Sequence, residues 1–123
     1  MLYIKCAMQI VQVLNVSKGT VIAQQARLAC SLGQRMKGLL GQDSLSANEA
    51  LILKPCSSIH TFFMRFSIDV LFLDKNMQIV KLFRNMPPNR LSPVVWGSRI
   101  AIELPAGKTS QTNTQIGDIV EFK

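Results

Sequence analysis

The chain has 123 residues, of which 48% are hydrophobic and 17% are charged, so it can fold around a core and is not intrinsically disordered. Its 14 Lys and Arg residues exceed its 7 Asp and Glu residues, which gives a net charge of +7. No segment reaches the roughly 18 consecutive apolar residues of a membrane-spanning helix, and the N-terminal segment lacks the features of a secretory signal. We therefore expect a soluble, cytoplasmic protein of one domain, residues 1–123, that has no membrane partner.

The positive charge is distributed evenly along the chain. Residues 1–62 contain six Lys or Arg and two Asp or Glu, and residues 63–123 contain eight and five. Proteins that bind nucleic acid usually concentrate their basic residues in a stripe or patch. Binding of nucleic acid through a basic surface is therefore the less favoured interpretation.

The three cysteines, Cys6, Cys30 and Cys56, do not form a Cys-x-x-Cys pair. This usage is typical of reduced thiols in the cytosol that pack as small hydrophobic groups. Together with the single histidine, His60, they equal a zinc ligand set in number, but their spacing does not match a zinc finger. We expect no metal site and no cofactor.

The first predicted elements form a hairpin followed by a helix. Residues 8–16 and 20–23 read as strands that are joined by a turn at residues 17–19. Ser31 is a suitable N-cap with Gln34 as its capping-box partner, and Gly41 is placed to end the helix. An apolar stripe along this helix would comprise Leu32, Met36, Leu39 and Leu40.

The rest of the chain is predicted to be strands and loops. The predicted extended segments are residues 50–53, 59–66, 68–74, 78–83, 99–104 and 119–122, with a hairpin turn at 75–77 and loops at 86–93 and 110–115. Short strands with one helix predict a mainly β protein, in the form of a small antiparallel β-barrel or sandwich-like domain.

His60 is the first candidate for a functional side chain. In an extended segment it would share a face with Phe62, Met64 and Phe66. A histidine can act as an acid, a base or a ligand near neutral pH, but it can also satisfy nearby backbone groups. Nucleophilic catalysis by Cys56 with His60 would require a sharp turn at residues 57–58.

Two acidic residues lie within predicted apolar strands. Asp69 shares a strand face with Leu71 and Leu73, so it is either a site carboxylate or a structural group that is bonded to backbone amides or to an arginine. Glu103 lies opposite the apolar face of its strand. It therefore either faces solvent or lines a cleft with His60 or Arg35.

Five segments follow one another along the chain: residues 35–40 (RMKGLL), 59–65 (IHTFFMR), 68–74 (IDVLFLD), 103–107 (ELPAG) and 117–118 (GD). In this order they resemble the uncharacterised family known as domain of unknown function 192, over about residues 10–122. The resemblance implies a compact β-rich domain with one helix. It implies no particular reaction, since the family has no established activity.

The resemblance also highlights individual positions. The family pattern matches Arg35, Gly38, Leu39, Met64, Asp69, Phe72, Asp74, Glu103, Gly107, Gly117 and Asp118. His60 and Thr61 match one branch of the family. Met77 occupies a hairpin position where the family usually has glycine.

The leading functional hypothesis is a small domain that binds a ligand or a partner protein, or acts as an accessory module. Its polar cleft would contain Arg35, His60, Thr61, Asp69 and Glu103. The alternative is an enzyme that uses His60 as an acid or base together with Asp69 or Glu103. No complete catalytic set is evident, so no residue is assigned a catalytic role and an enzyme is the less favoured of the two.

Overall fold

The secondary structure follows the predicted order, and a computed structural model describes it for residues 9–123, apart from the side chain of Leu32. The strands are β1 (Gln9–Asn15), β2 (Thr20–Ala29), β3 (Glu49–Leu53), β4 (Ile68–Leu73), β5 (Ile79–Met86), β6 (Ile100–Pro105) and β7 (Val120–Phe122). The helices are α1 (Leu32–Lys37) and α2 (Lys108–Gln111). Met8, predicted to begin the first strand, and Cys6 lie outside the described residues.

The seven strands form one curled sheet with the order β5-β4-β6-β3-β2-β1-β7. Adjacent strands are antiparallel except β2 and β3, which run parallel. The two ends of the sheet meet where Gln78 bridges to Ile119 and where the Ile79 amide donates to Asp118 O at 2.9 Å. The mainly β class is thus confirmed, and the sheet is a half-barrel rather than two separate layers.

Each face of the sheet carries its own apolar core. The first, which we call the seven-strand core, receives residues from every strand, including Ile102 and Leu104 of β6. The second, the helix-side core, lies on the opposite face and combines strand residues such as Val70 and Ala101 with Leu39 and Ile59. Because neighbours in a strand point to opposite faces, β6 is buried on both sides.

Helix α1 begins as its sequence predicts but ends early. Gln34 N donates to Ser31 Oγ at 3.1 Å and Ser31 N donates to Gln34 Oε1 at 3.4 Å, which completes the capping box. The helix ends at Lys37, and Gly38 with φ 49° is its C-cap. The predicted end at Gly41 is wrong, and the predicted apolar stripe is wrong as well, because Met36 is 65% exposed.

The turn between β4 and β5 is held by Asp74. Its Oδ1 accepts hydrogen bonds from Asn76 N at 2.8 Å and Gln78 N at 3.0 Å. Met77 adopts φ 62°, the left-handed conformation that glycine tolerates best. The predicted hairpin is confirmed, and the chain keeps the conformation that a glycine would adopt although methionine stands in its place.

Two segments differ from their predictions. Residues 59–66 form no regular strand, and His60 makes only an isolated bridge to Leu91. The predicted loop 110–115 begins with α2, whose N-cap is Gly107. Within residues 9–123, no helix is long and apolar enough to cross a membrane.

The described cysteines differ in state. Cys30 is a disulfide cysteine rather than the reduced thiol that the sequence predicts. Cys56 is a free thiol of intermediate exposure. The reduced state expected of the thiols therefore holds for Cys56 and is wrong for Cys30.

Candidate functional site

A cleft with a volume of about 360 Å³ opens between α1 and the segment that follows β3. Three predicted site residues line it, namely Arg35, His60 and Glu103. The apolar part of its wall includes Leu39, Leu40, Leu53 and Ile59. We call it the Glu103 cleft, because Glu103 is the one acidic residue among the described residues that line it.

Glu103 reaches the cleft from β6, in the middle of the sheet. Its partners on the neighbouring strands are Leu51 of β3 and Val70 of β4. Directly paired residues of antiparallel strands share a face, so the carboxyl lies on the face of the helix-side core and is only 4% exposed. The expectation that Glu103 faces solvent is wrong, because this face of β6 is covered.

The carboxyl of Glu103 is buried without full hydrogen bonding. Its Oε2 atom has no hydrogen-bond partner among the described residues. Burial raises the pKa of this carboxyl from its ordinary value of 4.5 to about 8. At pH 7 the group is therefore mainly protonated, and it can both donate and accept a hydrogen bond.

Arg35 connects α1 to the end of β3. Its Nη1 donates to Cys30 O at 3.1 Å and to Lys54 O at 3.2 Å. These bonds satisfy carbonyl groups just before the helix and just after the strand. Arg35 therefore holds two walls of the cleft together and also places a positive charge at its edge.

Cys56 lines the same cleft as Arg35 and Glu103. Its Sγ donates to Ser58 O at 3.2 Å. Burial is the main cause that raises the pKa of this thiol, while the hydrogen bond to Ser58 O and the positive charge of Arg35 lower it less strongly. Because the thiolate is the nucleophilic form, this environment does not support the nucleophilic role considered for Cys56 with His60.

His60 forms part of the exposed rim of the cleft. Its Nδ1 accepts a hydrogen bond from Phe62 N at 3.3 Å, and its ring stacks on that of Phe62 with centroids 5.4 Å apart. In the neutral ring the proton must then lie on Nε2. Nε2 has no hydrogen bond to any part of the chain that the structure describes.

Asp69 does not line the cleft. It is fully buried, and its Oδ1 accepts from Asn85 N at 2.9 Å. Its Oδ2 accepts from Thr109 N at 3.0 Å and from Thr109 Oγ1 at 2.6 Å. The carboxylate thus joins β4 to the end of β5 and to the start of α2. This corresponds to the second alternative for Asp69, a structural group that is bonded to backbone amides.

Thr61 is also fully buried and does not line the cleft. Its Oγ1 donates to Pro87 O at 2.7 Å and accepts from Arg90 N at 2.9 Å. The side chain therefore holds the loop after β5 against the segment that carries His60.

A family model for DUF192, described as Uncharacterized ACR, matches residues 12–122. The chain belongs to the DUF192 family. The predicted resemblance is confirmed over nearly its full extent.

The DUF192 relatives include archaeal proteins that are named only as UPF0127 proteins. One from Thermococcus sibiricus is 32% identical over 114 residues, covering 89% of this chain and 73% of its own. One from Pyrococcus furiosus is 30% identical over 112 residues, covering 89% and 96%. A solved structure of a protein of unknown function from Novosphingobium aromaticivorans superposes with a TM-score of 0.79 at 20% identity, over 93% of this chain and 84% of that one. These relatives establish the fold and leave the activity open.

Sequence reasoning identified three of the polar cleft residues but missed the apolar wall. The sequence places Leu39 and Leu40 in the predicted helix, which ends at Lys37 in the structure, and it places Ile59 in a predicted strand that does not form. Alternation in β6 indicated that Glu103 faces away from Ile102 and Leu104. Nothing in that alternation shows that a second layer covers the same face.

Proposed function

We propose that this DUF192 domain binds a small molecule in the Glu103 cleft, with a hydrogen bond to the buried carboxyl as the main polar contact. The observation that carries the proposal is the Glu103 Oε2 atom, which is buried and has no partner among the described residues. A ligand that fills the cleft would supply that partner.

The energetics favour a binding role over a structural one. A buried polar group without a hydrogen bond typically costs about 1–3 kcal/mol of stability. A leucine or valine would suit the same position better, as it does at the paired positions Leu51 and Val70. The contribution of Glu103 is therefore better explained by a contact with a ligand than by folding.

The chemistry of the cleft restricts the class of ligand. Protonated Glu103 complements a group that both donates and accepts, such as a carboxamide or a hydroxyl. The wall that includes Leu39, Leu53 and Ile59 suits an apolar body. A volume of about 360 Å³ lies at the small end of ligand sites in proteins. We infer a compact molecule with an apolar body and an uncharged polar end.

A fragment screen by NMR tests this proposal. The library would contain carboxamides, alcohols and matched hydrocarbons, and binding would be followed through the amide signals of residues 56–60 and 101–104. We expect carboxamides or alcohols to shift these signals more strongly than their hydrocarbon analogues do.

A matched pair of variants makes the screen specific. Glu103→Gln keeps a donor and an acceptor and should retain binding, whereas Glu103→Met keeps the volume and should weaken binding about tenfold. Lys81→Met, on the exposed surface of β5, is the control. Equal affinity for the wild type and Glu103→Met would reject the role of the carboxyl, and a cleft that takes up no fragment would reject the site.

An enzyme is the second candidate, because His60 and Glu103 line the same cleft. Asp69 is no longer a suitable partner for His60, since both its oxygens are bonded to Asn85 and Thr109. Protonated Glu103 would act as the acid and His60 as the base. A screen for hydrolase and transferase activity should then detect turnover that His60→Ala abolishes, and equal activity in both proteins would reject this role.

A further inference from the structure

Two loops pair beside the cleft and form a short irregular ribbon. Val95 N donates to Ser57 O at 2.8 Å, Ser92 N donates to Ile59 O at 2.9 Å, and Thr61 N donates to Arg90 O at 2.8 Å. Phe63 N extends the pairing through Asn89 Oδ1 at 3.1 Å. We call residues 57–63 and 89–96 the aromatic ribbon.

The aromatic ribbon exposes a cluster of large apolar side chains. Five of the eleven exposed large hydrophobic residues of the described chain belong to it, and their exposed fractions are 40% for Phe62, 83% for Phe63, 66% for Leu91, 54% for Val94 and 89% for Trp96. Isolated exposed hydrophobic residues are common, but a cluster of this kind marks an interaction surface. Other residues of the ribbon, such as Ile59, are buried in the helix-side core.

The charged residues of the two segments that form the ribbon are all basic. Residues 54–66 and 87–99 contain four Lys or Arg and no Asp or Glu. Arg65 pairs with Asp43 at 2.6 Å. Lys54, Arg90 and Arg99 form no ion pair with any described residue. An anionic surface would therefore find three available cations here, while the carboxylate of Asp43, which lies beside these segments, is neutralised by Arg65.

The backbone conformation of the aromatic ribbon places two aromatic side chains at turns, at a cost in local stability. Phe63 adopts φ 63°, a left-handed conformation that is costly for a bulky residue. Trp96 precedes Gly97, which has φ 84°. Both aromatic side chains thus lie at turns and are almost fully exposed, as expected of residues that insert into another phase rather than into the core.

We propose that the aromatic ribbon docks on the surface of an anionic lipid bilayer. Trp and Phe side chains favour the boundary between headgroups and acyl chains, and Lys and Arg interact with anionic headgroups. The sequence argument against a membrane concerns spanning segments, which surface docking does not require. His60 and Ser57 belong to both the ribbon and the cleft, so the mouth of the Glu103 cleft would lie close to the bilayer.

The single tryptophan of the chain makes the experiment specific to this surface. The full chain would be mixed with vesicles of phosphatidylcholine alone and with vesicles containing 30–50% phosphatidylglycerol (about this range gives a strongly anionic surface). We expect a blue shift of the Trp96 emission and co-flotation with the anionic vesicles only, both weakened by added salt.

Matched variants test the two components of the contact. Phe63→Asn with Val94→Ser, and separately Arg90→Gln with Arg99→Gln, should each lower the partition coefficient by about tenfold or more. Ile116→Ser, at 59% exposure, and Lys75→Gln with Lys123→Gln are the controls and should change it less than twofold. Asn tolerates the left-handed conformation at position 63, so the first variant keeps the fold.

Three outcomes would overturn the proposal. They are a Trp96 emission that does not change with anionic vesicles, equal losses in the ribbon and control variants, and a shift with single-stranded DNA or an acidic protein but not with vesicles. Glu103→Gln should bind vesicles like the wild type, so failure of the cleft proposal and failure of this one are distinguishable.

Discussion

Asp69 and Glu103 carry buried carboxyl groups on adjacent strands, but the two carboxyl groups differ in their hydrogen bonding. Asp69 accepts three hydrogen bonds from Asn85 and Thr109, whereas the Oε2 atom of Glu103 accepts none from the described residues. Asp69 is paired in register with Leu104 and Glu103 with Val70. The two acids therefore lie on opposite faces of the same strand pair.

The difference separates a structural acid from a candidate binding group. A fully bonded carboxylate stabilises the elements that it joins, and Asp69 joins β4, β5 and α2. A buried acid with an unbonded oxygen does not join elements in this way. Its pKa is raised by burial, as it is for Glu103. Burial alone does not distinguish the two roles, but hydrogen bonding does.

The largest expected effect is the loss of Asp69. Asp69→Ala leaves the buried amide and hydroxyl of Thr109 and the partly buried amide of Asn85 without their acceptor, so we expect the free energy of unfolding to fall by about 3–5 kcal/mol. Urea denaturation followed by circular dichroism measures it. Glu103→Gln at pH 6 is the matched variant and should change stability by less than about 1 kcal/mol, since both side chains are neutral there. Similar losses in the two variants would contradict the comparison.

The next effect is the pH dependence that Glu103 confers. In the folded chain its pKa is about 8, against an ordinary value of 4.5. Between these two pH values the folded state binds more protons than the unfolded state, so the free energy of unfolding falls as pH rises. The expected slope approaches about 1.4 kcal/mol per pH unit, and above about pH 8 the contribution becomes constant.

The contribution of Glu103 is isolated when the stability of Glu103→Gln, measured as a function of pH, is subtracted from that of the wild type. Denaturation midpoints measured from pH 4 to pH 9 should show a wild-type decline that the variant lacks. Parallel profiles for the two proteins would mean that the carboxyl is ionised in the folded state and has a partner after all.

The smallest of the three effects concerns the hydroxyl that bonds Asp69. Thr109→Val removes the 2.6 Å bond from Oγ1 to Oδ2 while the backbone amide of residue 109 keeps its own bond. We expect a loss of about 1–2 kcal/mol. Cys56→Ala, in the Glu103 cleft, is the comparison and should cost less than Thr109→Val, because it removes only the weak, partly buried hydrogen bond from Sγ to Ser58 O. A larger loss of stability for Cys56→Ala than for Thr109→Val in thermal unfolding would argue against the structural role of the Thr109–Asp69 bond.

Local features of this protein could be read from its sequence. The capping box of Ser31 and Gln34, the hairpin between β4 and β5 and the alternation in β6 depend on residues within a few positions of one another. Such short-range patterns are set by backbone geometry and side-chain volume. The β class followed from the short predicted strands, and the family resemblance followed from five short segments in their order along the chain.

Features that depend on distant partners could not be read in this way. Asp69 is bonded to residues 16 and 40 positions away, and Glu103 lines one cleft with residues of α1 and His60 only because the chain folds over the second face of the sheet. The helix also ended before the predicted stripe was complete, because Gly38 caps it after six residues. Long-range contacts of this kind leave no periodic signal in the sequence.

The sequence by itself determined that acids occur within apolar strands, which is informative in a chain with only 7 Asp and Glu residues. Only the tertiary structure decided which acid is satisfied. The reason is physical: a strand directs its side chains to one face or the other, but the donors that meet a carboxyl come from whichever elements pack on that face. For Asp69 those elements supply three donors, and for Glu103 they leave an open cleft.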